Sequence, residues 1–233
     1  MSGVTSFLRS VGADLRPSRS LGTPRARVEG RVGPGVTILA ILACLVACSP
    51  GGPPGDDAFL AEIQAARAAK DAMLGTGADS PILAADRQRF LPLAYFEPDP
   101  LYAVPAVFEQ APPEARVRVE MQTSANKPRL MERLGILKFS LNGQQLQLTA
   151  FVEAGQPPDR LFVPFTDATS GAETYKAGRY LDIHPTATGI YVVDFNRAYN
   201  PYCYYNPSYD CPFPPRENRL PIPVRAGEKV RAD

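Results

Sequence analysis

The sequence predicts a mostly β domain of the α+β class, an antiparallel β-sandwich or a partly open barrel that follows two helices. Beyond about residue 100 the hydrophobic residues recur with a period of two, the period of half-buried strands. Turn residues separate these short segments, as they do in sandwiches and barrels. The chain of 233 residues is 45% hydrophobic and 21% charged, which provides enough apolar surface for a core.

Two helices are predicted before residue 100. Asp56 and Asp57 can accept hydrogen bonds from the free amides of a helix start, and a helix over Ala58–Leu74 follows. One face of this helix is apolar and is expected to pack on the domain: Phe59, Leu60, Ile63, Ala66, Ala69 and Met73. The charged residues fall mostly elsewhere: Glu62, Arg67, Lys70 and Asp71. A second helix is expected from Ser80 to Phe90, with Ser80 as its cap and Pro81 in its first turn.

Alternating apolar and polar residues predict the first three strands of the domain, and four further strands are expected after them. These are Arg116–Met121, Leu137–Leu141, Gln145–Val152, Arg160–Phe165, Arg179–Ile183, Gly189–Phe195 and Leu220–Arg225. Asn142-Gly143 predicts a hairpin with a type I′ turn, because both central residues of that turn need positive φ. Pro221 and Pro223 cannot donate to a ladder, so the last strand is expected at a sheet edge.

Residues 1–47 are predicted to be a signal peptide. An apolar run over 36–47, VTILAILACLVA, follows an arginine-rich stretch. The run is shorter than the roughly 20 residues that span a bilayer, but it suits the apolar region of a signal peptide. Leu45-Val46-Ala47-Cys48 matches a lipobox, in which a small residue precedes the cysteine that receives the lipid. The stretch SPGGPPGDD that follows Cys48 is rich in Pro and Gly and predicts that residues 48–57 form a flexible tether.

The chain is therefore predicted to be exported and held to the cell envelope by lipid on Cys48, with residues 58–233 as a single domain. Ser49, rather than Asp, follows the lipidated cysteine and favours the periplasmic side of an outer membrane where the cell has one. The alternatives are an ordinary secretory signal and a buried strand that carries Cys44 and Cys48. The sequence therefore predicts the membrane as a partner, bound through the lipid on Cys48.

Charge argues against nucleic acid as a partner. The chain has 25 basic and 24 acidic residues, and six of the basic residues but only two of the acidic ones precede Cys48. The remaining domain is slightly acidic, whereas proteins that bind nucleic acid carry a basic surface.

A polar cluster is predicted near two of the strands. Its candidate binding residues are Arg179, Tyr180, Asp182, His184, Asp194, Asn196, Tyr199 and Asn200. Asp182 and His184 are two residues apart and are expected on one face of a strand. In a hydrolase, His184 acts as general base and Asp182 or Asp194 orients it, with Ser170 or Tyr175 near the substrate. The alternative is that Asp and Asn cap turns at strand ends and that Arg179 forms a structural ion pair.

Tyrosines favour binding over catalysis. Six of them crowd a short span: Tyr191, Tyr199, Tyr202, Tyr204, Tyr205 and Tyr209. Aromatic faces together with the amides of Asn196, Asn200 and Asn206 suit a sugar ring or an extended peptide from the cell wall. The chain also lacks the GxSxG and phosphate-loop motifs of common enzymes. We therefore predict a small ligand-binding module or envelope scaffold without a cofactor; the alternative is that these rings pack a loop.

Cys203 and Cys211 are expected to form a disulfide, since seven residues separate them and an exported chain meets an oxidising compartment. Such a loop closure stabilises the fold by roughly 2–3 kcal/mol on the entropy model. The alternative is a metal site completed by His184, Asp182 or Glu217. The pattern is unlike known zinc sites, because the chain has one histidine and no paired CxxC motif, so no metal is predicted.

Five segments resemble a family of bacterial proteins that carry a domain of unknown function. They are SPILAADRQRF at 80–90, TYKAGRYLD at 174–182, DFNRAYNP at 194–201, CPFPPRENRL at 211–220 and AGE at 226–228. The resemblance covers Ser80 to Glu228, most of the predicted domain. It implies one unit of fold size and no known reaction.

Overall fold

The fold is a seven-stranded antiparallel sheet that curves into a half-barrel, with a few helices around it. The computed structural model describes residues 54–187 and 190–231. Within them the prediction of a mostly β, partly open barrel is confirmed. The predicted signal peptide, Cys48 and the first part of the tether lie outside the described residues.

The strands pair with their neighbours in the order β6-β5-β4-β3-β1-β7, and β2 pairs with β3 off this path. Their bounds are Ala103–Gln110 (β1), Arg118–Met121 (β2), Arg129–Leu141 (β3), Gln144–Glu153 (β4), Leu161–Phe165 (β5), Arg179–Ile183 (β6) and Tyr191–Asp194 (β7). β1 was not predicted, because its segment lacks clear alternation and contains Pro105. In the structure Pro105 nevertheless lies opposite Val192 in the ladder between β1 and β7.

The hairpin between β3 and β4 is confirmed. Asn142 and Gly143 have φ of 50° and 74°, as a type I′ turn requires. Phe139 lies opposite Leu146 and Leu137 opposite Leu148, so the register carries the alternating apolar residues of both strands onto the core face.

In the described part of the chain, three helices accompany the sheet: α1 at Pro54–Thr76, α2 at Arg87–Phe90 and α3 at Tyr202–Tyr205. Short 3₁₀ turns lie at Ala84–Asp86, Pro100–Tyr102, Pro113–Ala115, Phe195–Arg197 and Arg216–Asn218. α1 begins at Pro54, so the last residues of the predicted tether are helical. Among the described residues, no helix combines the length and apolar character needed to cross a bilayer.

α1 docks on the domain through both apolar and charged residues. Ile63 and Leu74 are buried, but the predicted apolar face is only partly used, since Met73 is 52% exposed. The charged residues, predicted to lie elsewhere, make further contacts with the domain. Arg67 Nη1 donates to the carbonyl of Phe96 (2.8 Å), Asp71 Oδ1 accepts from the amide of Leu93 (3.0 Å), Lys70 pairs with Glu228, and Glu62 pairs with Arg197.

The predicted second helix is shorter than expected. Ser80 does not cap it; the Ser80 hydroxyl donates to the carbonyl of Leu74 at 2.7 Å and accepts from the amide of Ile82 at 3.2 Å. Ser80 therefore satisfies a free carbonyl near the end of α1. Helical structure starts only with the 3₁₀ turn at Ala84–Asp86 and continues in α2.

The prediction of an edge strand over Leu220–Arg225 is wrong. The segment packs in the core but belongs to none of the strands that the structure describes. Its apolar residues Leu220, Ile222 and Val224 are buried as the alternation indicated. Pro221 and Pro223 lack the amides of a ladder, so the segment is held by isolated bonds, such as the amide of Ala168 to the carbonyl of Ile222 (3.1 Å).

Candidate functional site

A cleft of about 790 Å³ opens between β3–β6 and the segment 199–212. Pockets of this size accommodate ligands of a few hundred daltons. Five rings line it: Phe162, Tyr180, Tyr199, Tyr202 and Tyr209. Charged residues of both signs, including Lys70, Arg129, Arg160 and Asp182, also line it.

Three of the rings form a rigid cluster. Tyr180 lies edge-on to Phe162 at 4.8 Å and to Tyr199 at 5.8 Å between ring centroids. The backbones of Tyr180 and Tyr199 exchange two hydrogen bonds of 2.9 and 3.0 Å, and the Tyr180 hydroxyl donates to the carbonyl of Pro212 at 2.5 Å. The rings are therefore fixed before any ligand arrives.

Asp182 links the aromatic cluster to a cation. The Tyr199 hydroxyl donates to Asp182 Oδ2 at 2.9 Å, and Arg160 Nη1 lies 3.4 Å from the same oxygen. Burial, with the Asp182 charge added to it, raises the pKa of Tyr199 well above its ordinary value. Tyr199 consequently stays protonated and acts as a donor.

α1 contributes Lys70 to the wall of the cleft. Lys70 Nζ lies 2.5 Å from Glu228 Oε1 and 4.9 Å from the centroid of the Tyr199 ring. Glu228 is 1% exposed, and its other oxygen accepts from the Asn200 amide (2.8 Å) and the Tyr205 hydroxyl (2.6 Å). The buried carboxylate thereby fixes the position of the lysine.

The remaining wall is the segment that carries α3. Tyr202 and Tyr209 meet edge to face at 5.3 Å. Arg129 Nη2 donates to the carbonyl of Asp210 at 2.9 Å, and Asp210 Oδ1 accepts from the amide of Ala125 at 2.9 Å. These bonds hold the tyrosine-bearing segment against β3 and the turn before it.

Arg179, a predicted binding residue, lies in the core and not in the cleft. It is 1% exposed. Its guanidinium pairs with Asp167 Oδ2 at 2.9 Å and donates to the carbonyls of Val224, Ala226 and Glu228 at 2.8, 2.5 and 3.1 Å. Burial lowers the pKa of Arg179, and the neighbouring Asp167 opposes that shift. The role of Arg179 is to join β6 to the segment that follows residue 220.

Three other predicted binding residues cap or brace turns. Asp194 accepts from the amide of Asn196 at 3.0 Å and pairs with Arg197 at 3.1 Å. The buried Asn196 side chain bonds both backbone groups of Asp99 (2.9 and 2.8 Å). Asn200 is also buried. None of the three lines the cleft. The contacts of Asp194 and Asn196 match the alternative in which Asp and Asn side chains cap turns at strand ends.

His184 does not join the carboxylates that the hydrolase alternative requires. β6 ends at Ile183, and His184 is exposed beyond it. The bonds of Asp182 go to Tyr199 and Arg160, and those of Asp194 go to Asn196 and Arg197.

The other two residues of that alternative have structural partners of their own. Ser170 Oγ accepts from the amide of Asp167 at 3.1 Å. The Tyr175 ring packs on Tyr204 at 5.1 Å. Of the predicted site, the cleft therefore contains Tyr180, Asp182 and Tyr199.

The residues that the prediction missed, Lys70, Arg129, Arg160 and Phe162, come from α1, the start of β3 and the region around the start of β5. Only the tertiary fold places these segments beside the tyrosines. The one available signal was the tyrosine-rich span, which did indicate Tyr202 and Tyr209.

Cys203 and Cys211 have free thiols that lie side by side. The backbone amide of Cys203 lies 3.3 Å from Cys211 Sγ. Because the two cysteines are close but not bonded to each other, the disulfide between them stays a prediction. Over residues 54–187 and 190–231, no three Cys, His, Asp or Glu side chains converge on a possible metal position. Glu217, named in the metal alternative, instead pairs with Arg133 at 2.5 Å.

Comparison with known proteins gives a family and a related structure. A family model described as a protein of unknown function, DUF1684, matches residues 88–229. The solution NMR structure of an uncharacterised protein from Haloarcula marismortui is similar, with 35% identity, a TM-score of 0.60, and coverage of 76% of this chain and 96% of that one. No curated protein matches. The family match includes the cleft residues apart from Lys70, which precedes it.

Proposed function

The chain belongs to the DUF1684 family of proteins of unknown function, and we propose that it is a lipid-anchored envelope protein that binds a glycan in the cleft. The observation that carries the proposal is the pairing of ring faces with fixed polar groups around one volume of about 790 Å³. Sugars present apolar faces and hydroxyl edges, and such a wall can contact both.

Several charged groups of the cleft are already engaged within the protein, and at these groups a neutral ligand is favoured over a charged one. Asp182 is paired with Arg160, and Lys70 with Glu228. Arg129 is engaged by the carbonyl of Asp210. A ligand charge competes with these contacts and must lose its own hydration, whereas a hydroxyl can add to them without displacing them.

The envelope address is part of the same proposal. It rests on the apolar run over 36–47, on the lipobox that ends at Cys48 and on the Pro/Gly-rich residues after it. An anchored protein with a binding cleft meets polymers of the cell envelope at high local concentration, so a weak interaction suffices there.

Ligand binding is testable through tyrosine emission. The chain has ten tyrosines and no tryptophan, so its fluorescence reports on tyrosines, four of which line the cleft. We expect a neutral trisaccharide of β-1,4-linked N-acetylglucosamine to change this emission saturably in the purified full chain. Tyr202→Ala removes a stacking face and is expected to raise Kd about tenfold, equivalent to roughly 1.4 kcal/mol.

Phe213→Ala is the matched control, because Phe213 is 38% exposed against 40% for Tyr202 and lies outside the cleft lining. We expect an unchanged Kd. Saturable binding of an uncharged tetrapeptide in place of the sugar would make the ligand a peptide and refute the glycan proposal. Equal losses in both variants would refute the cleft as the site.

Lipidation is tested by substituting Cys48 and, as a control, Cys44 of the leader. We expect Cys48→Ser to abolish incorporation of labelled fatty acid and to release the full-length chain from the membrane fraction of a bacterial host. Cys44→Ser, four residues earlier in the same apolar run, is expected to change neither. Retention of label in Cys48→Ser refutes attachment at Cys48.

A further inference from the structure

The wall segment places two thiols in direct contact beside the cleft. Cys211 lines the cleft and is buried, whereas Cys203 is half-buried between cleft residues of the same segment. The Cys203 amide lies 3.3 Å from Cys211 Sγ. The thiols are therefore close enough to join with little backbone movement.

Hydrogen bonds fix the backbone around Cys211. The amide of Cys211 donates to Ser124 Oγ at 3.0 Å, and the amide of Ser124 donates to the carbonyl of Cys211 at 3.0 Å. The amide of Phe213 donates to the carbonyl of Gln122 at 2.7 Å. Cys211 thus stands on a rigid base, while Cys203 lies in the one-turn helix α3.

The two thiols have unlike surroundings. Hydrogen bonds from Cys211, Ser124 and Tyr175 lower the pKa of Cys203 to about 7, with Cys211 the largest cause and burial opposing it. The same contact with Cys203, together with burial, raises the pKa of Cys211. This difference in pKa makes Cys203 the thiol that ionises and attacks first, and Cys211 the protonated thiol that reacts second.

We propose that Cys203 and Cys211 form a redox-active dithiol that reduces a disulfide docked beside the cleft, with Cys203 attacking and Cys211 resolving. The substrate is a dialkyl disulfide, which is either a small molecule or a peptide that contains a disulfide bond. The activity does not depend on glycan binding, because it uses only the segment 199–212 and its neighbours Ser124 and Tyr175.

Exchange takes two balanced steps. In the first, the Cys203 thiolate attacks one sulfur of the substrate disulfide, forming a mixed disulfide and releasing the other half as a thiolate that takes up a proton. In the second, Cys211 loses its proton and attacks the Cys203 sulfur, which frees the second half. Two protein thiols are oxidised to one disulfide and the substrate is reduced to two thiols.

Trapping the mixed disulfide tests which of the two cysteines attacks the substrate first. The reduced full chain is mixed with oxidised glutathione, and adducts are located by peptide mass spectrometry because Cys44 and Cys48 are also present. We expect Cys211→Ser to accumulate one lasting glutathione adduct on Cys203, and the wild type to pass on to the internal disulfide. Cys203→Ser is expected to form little adduct at Cys211. A second arm with a disulfide-cyclised peptide distinguishes a peptide substrate from a small one.

Alkylation by iodoacetamide as a function of pH supplies an independent readout. We expect the midpoint for Cys203 in the Cys211→Ser variant, which keeps a hydroxyl donor, to lie below that of an ordinary cysteine thiol. Cys211→Ala lacks that donor and is expected to move the midpoint up by about one unit. Tyr175→Phe, which removes another donor, is expected to move it in the same direction.

Three results would overturn the proposal. One is an adduct that accumulates on Cys211 in place of Cys203. Another is a Cys203 midpoint that does not respond to Cys211→Ala. The third is an internal disulfide that resists excess dithiothreitol in the folded chain, which would make the bond structural only.

Discussion

Replacing Arg179 by methionine is expected to lower the free energy of unfolding by about 3–5 kcal/mol, the cost of removing one partner from a buried ion pair. Arg179 and Asp167 have side-chain exposures of 0% and 1%. Methionine fills much of the volume but leaves the Asp167 charge without its cation. It also strands the carbonyls of Val224, Ala226 and Glu228, to which Arg179 donates.

The measurement is urea denaturation of the full chain, followed by tyrosine fluorescence and circular dichroism. Arg179→Lys keeps the charge but lacks the planar fork, so an intermediate loss is expected. Arg225→Met is the control, since Arg225 forms an exposed pair with Glu173 and surface pairs contribute little. Similar losses for Arg179→Met and Arg225→Met would contradict the central role of Arg179.

Gly227→Ala is expected to destabilise the fold by a comparable amount, about 3–5 kcal/mol. Gly227 has φ of +77°, and a Cβ there would lie 2.6 Å from the carbonyl oxygens of both Ala198 and Phe195. Backbone on two sides cannot yield easily, so the methyl group must displace the 226–228 segment. That movement disturbs the carbonyl of Ala226, which Arg179 needs.

Gly143→Ala separates the two causes of this loss. Gly143 has nearly the same φ, +74°, but a Cβ there meets nothing within 4 Å. We expect a loss of about 1–2 kcal/mol, from the left-handed conformation alone. Chemical denaturation of both variants gives the steric part as the difference. An equal loss at both positions would show that the contacts around Gly227 adapt.

Local patterns predicted much of the sheet. The turn at Asn142-Gly143 depends only on the φ preference of its own residues, and the structure confirms it. β6 has the predicted bounds, because turn residues mark both ends of Arg179–Ile183. Burial of Leu220, Ile222 and Val224 was also predictable from their spacing, whereas their lack of a strand partner was not. Prolines remove amides from a ladder without changing which way the side chains point.

The site was less predictable from the sequence than the sheet, because the type of a residue does not show whether its side chain is buried. Arg179 and Asp182 belong to the same short strand, yet one is buried in the core and the other lines the cleft. Their environments depend on segments far along the chain: 224–228 for Arg179, and Tyr199 with Arg160 for Asp182. The charged side of α1 likewise looked solvent-facing, and only the position of Glu228 turned Lys70 into a cleft residue.

The bonds of Arg179 also impose an order in time on folding. Its three carbonyl partners lie 45 to 49 residues later in the chain. A chain that is being synthesised exposes this arginine well before residues 224–228 arrive. Closing the core early would bury a guanidinium with Asp167 as its only partner, which costs several kcal/mol. The core is thereby kept from closing on a chain that still lacks residues 224–228.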